Sequence, residues 1–143
     1  FLNSLIKKLN NVNYDFYGFE NKEPIWGNNF YKALVNSKMG LNLSRGLPTK
    51  YYSSNRIASL MGNGLLTFVD RRTQMNDFFN SNEIVLYDNI TDLSDKISFY
   101  KNNISSRIKI AQNGKRKYFK FFNEKKITQF FIDKSLGKKS KLI

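Results

Sequence analysis

The sequence predicts an α/β domain built on a doubly wound, Rossmann-like parallel sheet with helices on both faces. Two observations support this class. Short apolar runs alternate with amphipathic segments, and the connections between them are short. The runs are also nearly continuous in their apolar character, as in "GLLTFVD", which is typical of strands covered on both faces. An α+β domain is less consistent with this order of segments.

Four runs are predicted strands because they are apolar or aromatic and bounded by turn-forming residues. "YDFYGF" is aromatic, "KMGLNLS" is short, and "GLLTFVD" and "EIVLYD" are rich in aliphatic residues. The loop "ENKEPIWGNN", with its Pro, Gly and Asn residues, separates the first run from the next helix. The predicted strands span 14–19, 38–44, 64–70 and 83–88.

Helices are expected where apolar residues recur at a spacing of three or four. Ile57, Leu60 and Met61 share a face of one such segment, and Thr91 is the expected N-cap of another. The segment "TQMNDFF" is expected to form a short helix. The predicted helices cover 4–9, 30–37, about 53–61, 73–79, 91–100, about 104–121 and 124–136.

The length of 143 residues indicates one domain, which we assign to 1–136, followed by a frayed basic tail at 137–143. The chain contains no Cys and no His. Disulfides, thiolate or imidazole metal sites, Cys nucleophiles and Ser-His-Asp triads are therefore excluded within it. We predict no bound metal and no cofactor. No apolar run approaches the roughly 20 residues that span a bilayer.

The net charge of +13 is distributed unevenly along the chain. Residues 1–100 contain 11 Lys and Arg against 9 Asp and Glu, a net charge of +2. Residues 101–143 contain 13 against 2, a net charge of +11. The body of the chain is therefore nearly neutral, and its C-terminal part is strongly basic.

The segment "RGLPTKYYSSNRIASLMGNG" connects a predicted strand to a predicted helix and suits an anion. Free N–H groups at the start of a helix and its dipole attract negative groups. Gly46 lets the backbone come close to a ligand. Hydroxyl and cationic side chains add hydrogen bonds and charge, and they are Arg45, Lys50, Ser53, Ser54 and Arg56. The alternative is structural, with a serine capping the helix and Arg56 paired with a surface carboxylate. The segment matches neither the Walker loop nor the G-x-G-x-x-G pattern.

Several motifs, taken in order, resemble a known family. They are "SKMGLNLSRG", "NRIASLMGNGLLTFVD", "EIVLYDNITDLSDKI" and "SRIKIAQNG". Over residues 14–122 the chain resembles the C-terminal domain of glycosyltransferases with the GT-B fold, and more narrowly the bacterial "glycosyl transferases group 1" branch. In that pattern a strand ends near Ser-Arg, here Ser44 and Arg45. A helix then opens with Arg56 and closes on Gly64, and the next strand ends in Asp70.

The resemblance implies that the domain binds a nucleotide-sugar donor. In that family the loop and helix start after the Ser-Arg strand hold the diphosphate. The implied donor-binding residues are Arg45, Gly46, Lys50, Ser53, Ser54, Asn55, Arg56 and Ser59. Many relatives have a Glu that bonds the donor ribose where this chain has Ser59, so either another group binds the ribose, the donor is held differently, or this branch has lost activity.

Four further residues are weaker candidates by the same resemblance. Trp26 and Gly27 would lie near the nucleoside, with a core or domain-contact aromatic as the alternative for Trp26. Asp70 and Arg71, in the loop "DRRTQ", would approach the sugar, with a solvated turn as the alternative.

The resemblance also implies catalysis in a cleft between two such domains. We expect the chain to be part of a longer cytoplasmic enzyme whose preceding acceptor domain supplies the catalytic base. Arg45, Lys50 and Arg56 would then stabilise the departing nucleoside diphosphate. The acceptor would be a glycan, a lipid-linked molecule or a protein in cell-surface glycan synthesis, and the isolated chain would be inactive.

The segment "RIKIAQNGKRKYFKFFNEKK" leaves three interpretations open. Its Ile108, Ala111, Tyr118 and Phe122 can pack inward while the Lys face is solvated. Alternatively it can lie on an anionic membrane at the inner face of the cell, or bind nucleic acid. Two alternatives to an enzyme also remain, a non-catalytic nucleotide-binding module and a basic nucleic-acid-binding domain.

Overall fold

A computed structural model of the protein describes residues 1–44, 46–52 and 54–140. These ranges contain three strands, β1 (Met39–Asn42), β2 (Leu66–Asp70) and β3 (Val85–Tyr87). The α-helices found in the same described residues are α1 (Leu2–Ile6), α2 (Gly27–Asn36), α3 (Asn55–Gly62), α4 (Ile90–Asn102), α5 (Ile104–Phe121) and α6 (Glu124–Ser135). Two short 3-10 helices, Arg71–Thr73 and Met75–Asp77, follow β2.

The strands form one parallel sheet in the order β1-β2-β3. Met39 pairs with Leu66 across the first ladder, and Phe68 pairs with Val85 across the second. All five residues of β2 are buried, as its unbroken apolar run predicts. The predicted α/β class with a parallel sheet is confirmed.

Helices cover both faces of this sheet because side chains alternate along each strand. Phe68 belongs to a cluster that includes Leu93 of α4, whereas Val69 belongs to a second cluster with Met61 of α3. The first cluster also contains residues from α1 and α5, and Tyr118 and Phe122 pack against the second. The core is therefore divided into two layers by β2.

The predicted strand at 14–19 is wrong. Gly18 has a left-handed φ of 74°, and its N–H donates to the carbonyl of Lys22, so the chain turns where the strand would continue. The aromatic rings pair locally instead, with the centroids of Tyr14 and Phe16 5.4 Å apart. Aromatic enrichment alone therefore overstated the strand propensity of this run.

Two other predictions need correction. Gln74 has a φ of 54°, which breaks the predicted helix at 73–79 into two 3-10 turns. The N-cap of α4 is Asn89 rather than Thr91, because the Asn89 side chain accepts a hydrogen bond from the N–H of Asp92. The remaining helices and strands occur close to where the sequence predicts them, and α5 and α6 match almost to the residue.

Candidate functional site

The three strands end at one side of the sheet, which we call the carboxyl edge. Their last residues are Asn42, Asp70 and Tyr87, and the segments 43–54, 71–77 and 88–89 begin there. Ligands of open parallel sheets bind outside this edge, where loops lead into the N-termini of helices. The predicted donor-binding residues are therefore expected at the carboxyl edge.

The loop 46–52 is held against the segment that follows β2. The N–H of Tyr51 donates to the carbonyl of Thr73 (2.8 Å), and its hydroxyl donates to the Asp77 carboxylate (2.7 Å). Its ring packs edge-on against Phe78, with centroids 5.1 Å apart. The Lys50 ammonium lies 4.8 Å from the centroid of the Tyr51 ring. The anchored tyrosine thus fixes the position of the loop and keeps Lys50 at the carboxyl edge.

Gly46 opens this loop in the left-handed conformation, with a φ of 69°. No atom lies within 4 Å of where a Cβ would stand, so the backbone is accessible from outside. Predicted residues Arg45 and Ser53 lie outside the described residues, and their roles remain predictions.

The N-terminus of α3 also lies at the carboxyl edge and has no side-chain cap from the residues that the structure describes. Ser54 occupies the N-cap position, but its hydroxyl donates to the side-chain oxygen of Asn42 (3.0 Å) and makes no capping bond. Asn42 is buried, so this bond ties the start of α3 to the end of β1. Of the two serines that could cap the helix, Ser54 makes no capping bond and Ser53 lies outside the described residues, so the first N–H groups of α3 have no side-chain partner from Ser54.

Arg56 lies on the first turn of α3 and is exposed. Its guanidinium donates to the carbonyl of Leu43 (2.9 Å), which holds it beside the loop rather than on a surface carboxylate. Asn55 is also exposed. Ser59, one turn further on, is half-buried, and its hydroxyl is directed at the Asn55 carbonyl at 3.5 Å. Arg56 and Asn55 are therefore accessible at the carboxyl edge, whereas Ser59 is turned back onto its own helix.

Asp70 is committed to structure. Its side chain is 6% exposed and accepts hydrogen bonds from the backbone N–H of Arg72 (2.9 Å) and from the Arg72 guanidinium (2.7 Å). Burial opposes the ionisation of Asp70, but the hydrogen bonds from Arg72 outweigh it and lower the pKa of the carboxyl group. Burial, reinforced by the charge of Asp70, raises the pKa of Tyr87 to about 12. The Asp70 carboxylate thus organises the turn after β2.

Arg71, the other weaker candidate in this loop, is paired with a carboxylate. Its Nε lies 2.5 Å from Asp88, at the end of β3, and both side chains are about half exposed. This ion pair joins the segments that leave β2 and β3 across the carboxyl edge. Neither Asp70 nor Arg71 therefore presents an unpaired charge there.

Trp26 and Gly27 lie at the start of α2, away from the core. Trp26 is 81% exposed, so the core alternative is wrong for it. It lines the same groove as Arg56, a cleft of about 1510 Å³ whose lining also includes Tyr14, Phe30 and Phe68. Gly27 has a φ of 53°, with open space where its Cβ would stand. The groove places Trp26 on the same side of the molecule as Arg56.

Of the predicted donor-binding residues, Gly46 and Lys50 lie on the loop 46–52, and Ser54, Asn55 and Arg56 lie at the start of α3; both segments adjoin the carboxyl edge. Sequence reasoning missed two residues that organise this group, Asn42 and Tyr51. A signal existed for the first, since an Asn at the end of an otherwise apolar strand has to find a partner when buried. Nothing in the sequence indicated that Tyr51 anchors the loop, because its partners lie 22 and 26 residues further along the chain.

Two features are absent from the part of the chain that the structure describes. Among 1–44, 46–52 and 54–140, no three His, Cys, Asp or Glu side chains form a cluster that could hold a metal ion. Within the same ranges, no helix has both the length and the apolar character needed to cross a bilayer.

Comparison with protein families decides the membership of this chain. The model of the family described as glycosyl transferase-like matches residues 1–133. The chain belongs to this glycosyl transferase-like family. Comparisons with curated proteins and with solved structures give no match. Membership of this family supports a role for the chain in glycosyl transfer, a reaction that requires a nucleotide-sugar donor and an acceptor.

Proposed function

We propose that the protein is the donor-binding C-terminal half of a GT-B glycosyltransferase of the bacterial "glycosyl transferases group 1" branch. It transfers a sugar from a nucleotide-sugar to a glycan, a lipid-linked molecule or a protein in cell-surface glycan synthesis. The observation that carries this proposal is the N-terminus of α3, which Ser54 leaves uncapped at the carboxyl edge beside Arg56.

The donor diphosphate is the ligand that suits this place. The first N–H groups of a helix bind phosphate oxygens, and the helix dipole favours a negative group there by about 0.3–1 kcal/mol. Gly46 leaves its backbone accessible on the facing loop. Arg56 has further N–H donors beyond the one bonded to Leu43, and a guanidinium binds phosphate with two parallel bonds.

Charge stabilisation of the leaving group is the mechanism we propose. When the sugar departs, negative charge develops on the nucleoside diphosphate. Lys50 and Arg56, held at the carboxyl edge by Tyr51 and Leu43, are positioned to stabilise it without rearrangement. Arg45 would add to this charge. We propose that no metal takes part, and that a preceding domain binds the acceptor and supplies the base.

We further propose how the chain is divided into a domain and a tail. Residues 1–136 form one donor-binding domain, and 137–143 form a basic tail. The enzyme acts in the cytoplasm, with contact to the inner face of the membrane through its basic C-terminal helices.

The experiment that tests the donor site is titration with a panel of nucleoside diphosphates at moderate salt, where nonspecific attraction to the basic helices is screened. We expect saturable binding of one nucleotide. Arg56→Ala should weaken it about tenfold or more, because a charge-assisted hydrogen bond is lost. Arg116→Ala is the matched control, since Arg116 is exposed on α5 and bonded to Asn113. Equal loss in both variants, or binding unaffected by Arg56→Ala, would contradict the assignment.

A non-catalytic nucleotide-binding module is the second candidate, favoured by Ser59. Its hydroxyl is directed at the backbone of α3, at the position where many relatives have the ribose-binding Glu. Sugar transfer by the full-length protein discriminates the two functions. Nucleotide binding without transfer to any acceptor would favour the module.

A further inference from the structure

The helix α6 extends from the body of the molecule without entering its core. No residue of α6 is buried. Only Ile127, Phe130 and Asp133, spaced three apart on one face, are half-buried, and the other residues of the helix are exposed. The contacts of α6 with the rest of the chain therefore leave most of its surface free.

The free side of α6 carries exposed apolar side chains near its C-terminal end. Phe131 and Leu136 are each 64% exposed, and Ile132 is 47% exposed. Together with Lys125 in the first turn, which points to the same side as Ile132, we call these residues the α6 surface. Single exposed apolar side chains are common, but three within six residues on a helix with no buried residue suggest a binding surface.

The charge around this surface is positive. Residues 120–139, which contain α6 and the residues on either side of it, hold six Lys against two acidic residues, a net charge of +4. Glu124 and Asp133 are the acidic residues among them, and the Asp133 carboxylate accepts a hydrogen bond from Gln129. An occupant of the α6 surface is therefore expected to be anionic.

The helix is firmly joined to α5, so its surface has a defined place on the molecule. The Asn123 amide donates to the carbonyl of Phe119 at the end of α5 and accepts from the N–H of Lys126 at the start of α6. At the other end, Gly137 adopts a φ of 69°, and the N–H of Lys138 donates to the carbonyl of Asp133. Both ends of α6 are thus closed by their own capping bonds.

We propose that the α6 surface binds an anionic lipid membrane. Exposed Phe, Ile and Leu side chains insert at the level of the acyl chains, while Lys side chains reach anionic head groups from the same helix. Nucleic acid suits the surface less well, since Ile132 and Leu136 cannot stack on bases. Recognition of bases and phosphates also favours Arg, which is scarce here.

The test is co-sedimentation of the full chain with vesicles of phosphatidylcholine alone or with part of it replaced by phosphatidylglycerol, without nucleotide. We expect binding to the anionic vesicles only. Lys125→Glu should lower the partition coefficient on the order of tenfold, because each basic residue at the surface contributes about fivefold and the change removes one and adds an acid. Phe131→Ser should lower it by about tenfold, because an apolar contact is lost. Lys125→Glu places an acid at the helix N-terminus, so it does not weaken α6 itself.

The matched controls lie on α2. Lys32→Glu makes the same change of charge, and Val35→Thr reduces the apolar character of an exposed position. Both should bind like the unaltered protein, and circular dichroism should show that all variants are folded. Absence of binding to anionic vesicles, or equal losses in the controls, would overturn the proposal. The proposal would also be overturned if the protein bound a single-stranded oligonucleotide more tightly than anionic vesicles and Leu136→Ser left that binding unchanged. This result would instead favour nucleic acid.

A spectroscopic readout locates the contact. Trp26 is the only Trp of the chain, so Trp26→Phe combined with Phe131→Trp places a single fluorophore on the α6 surface. Its emission should shift to shorter wavelength when anionic vesicles are added. Binding without such a shift would show that another part of the chain touches the lipid and would contradict this assignment.

Discussion

At the scale of single residues, Asp70 shows how a candidate binding residue can instead serve the fold. A carboxylate at the carboxyl end of a central strand is a natural candidate for a ligand contact. Here its oxygens accept from the backbone N–H and guanidinium of Arg72, and its own carbonyl accepts from the hydroxyl of Thr73. These bonds fix the turn to which Tyr51 is attached, so Asp70 positions the loop 46–52 of the proposed donor site.

The lowered pKa of Asp70 makes a pH-dependent contribution to stability. A depressed pKa in the folded state stabilises the fold above the pKa of the unfolded chain, near 3.9, and this contribution is lost as the pH falls through the folded value. Asp70→Asn should therefore lower the free energy of unfolding at pH 7 by about 1–2 kcal/mol. The difference between the two proteins should shrink toward pH 3. Urea unfolding at both pH values measures it, and a difference independent of pH would contradict the role of the charge.

At the scale of elements, strong local patterns were predictable and context-dependent ones were not. The unbroken apolar run of β2 and the long helices α5 and α6 follow from the sequence directly. The run at 14–19 failed because Gly18 turns the chain, and the cap of α4 shifted because Asn89 accepts from the N–H of Asp92. A strand needs a partner, and a loop anchor such as Tyr51 depends on residues distant in sequence. Neither can be derived from local composition.

The packing of α5 against the body depends on Gly114. A Cβ at this position would clash with the backbone carbonyl oxygen of Glu83, and backbone cannot move away as a side chain can. Gly114→Ala should therefore destabilise the protein by about 1–3 kcal/mol. Gly62→Ala is the control, since its Cβ would meet only the Phe119 ring at 3.9 Å and Ala is the better helix former. Thermal unfolding of both variants measures the effect, and similar midpoints for the two would argue against this close contact.

At the scale of the whole molecule, the sequence predicted the fold class and the side of the sheet that carries the candidate site. It predicted less of the site's internal arrangement. Lys50 and Arg56 were expected to be near an anion, and they do lie at the carboxyl edge. Ser54, however, bonds to Asn42, and Arg71 pairs with Asp88. Those pairings depend on which segments the sheet brings together, so they follow from topology rather than from residue type.

The division between a folded body and an outer basic helix leads to a prediction for the molecule as a whole. Every residue of the two clusters on the faces of the sheet, and of a third cluster formed by Leu34, Leu60 and Leu65, precedes residue 123, and α6 contributes none. Truncation after Asn123 should therefore change the free energy of unfolding by less than about 1 kcal/mol. It should also leave nucleotide binding intact while abolishing binding to anionic vesicles.

Three measurements on the truncated and full chains test these expectations separately. Denaturant unfolding tests stability, titration tests nucleotide binding, and co-sedimentation tests vesicle binding. The control is truncation after Asn103, which removes α5 with its buried Ile110 and Ala111 and should abolish cooperative unfolding. A large loss of stability on removing α6 alone would show that its half-buried Ile127 and Phe130 hold the body together. If the chain truncated after Asn123 still binds vesicles, the lipid contact lies on α5 rather than on α6, since Phe119 and Ile108 of α5 are also exposed.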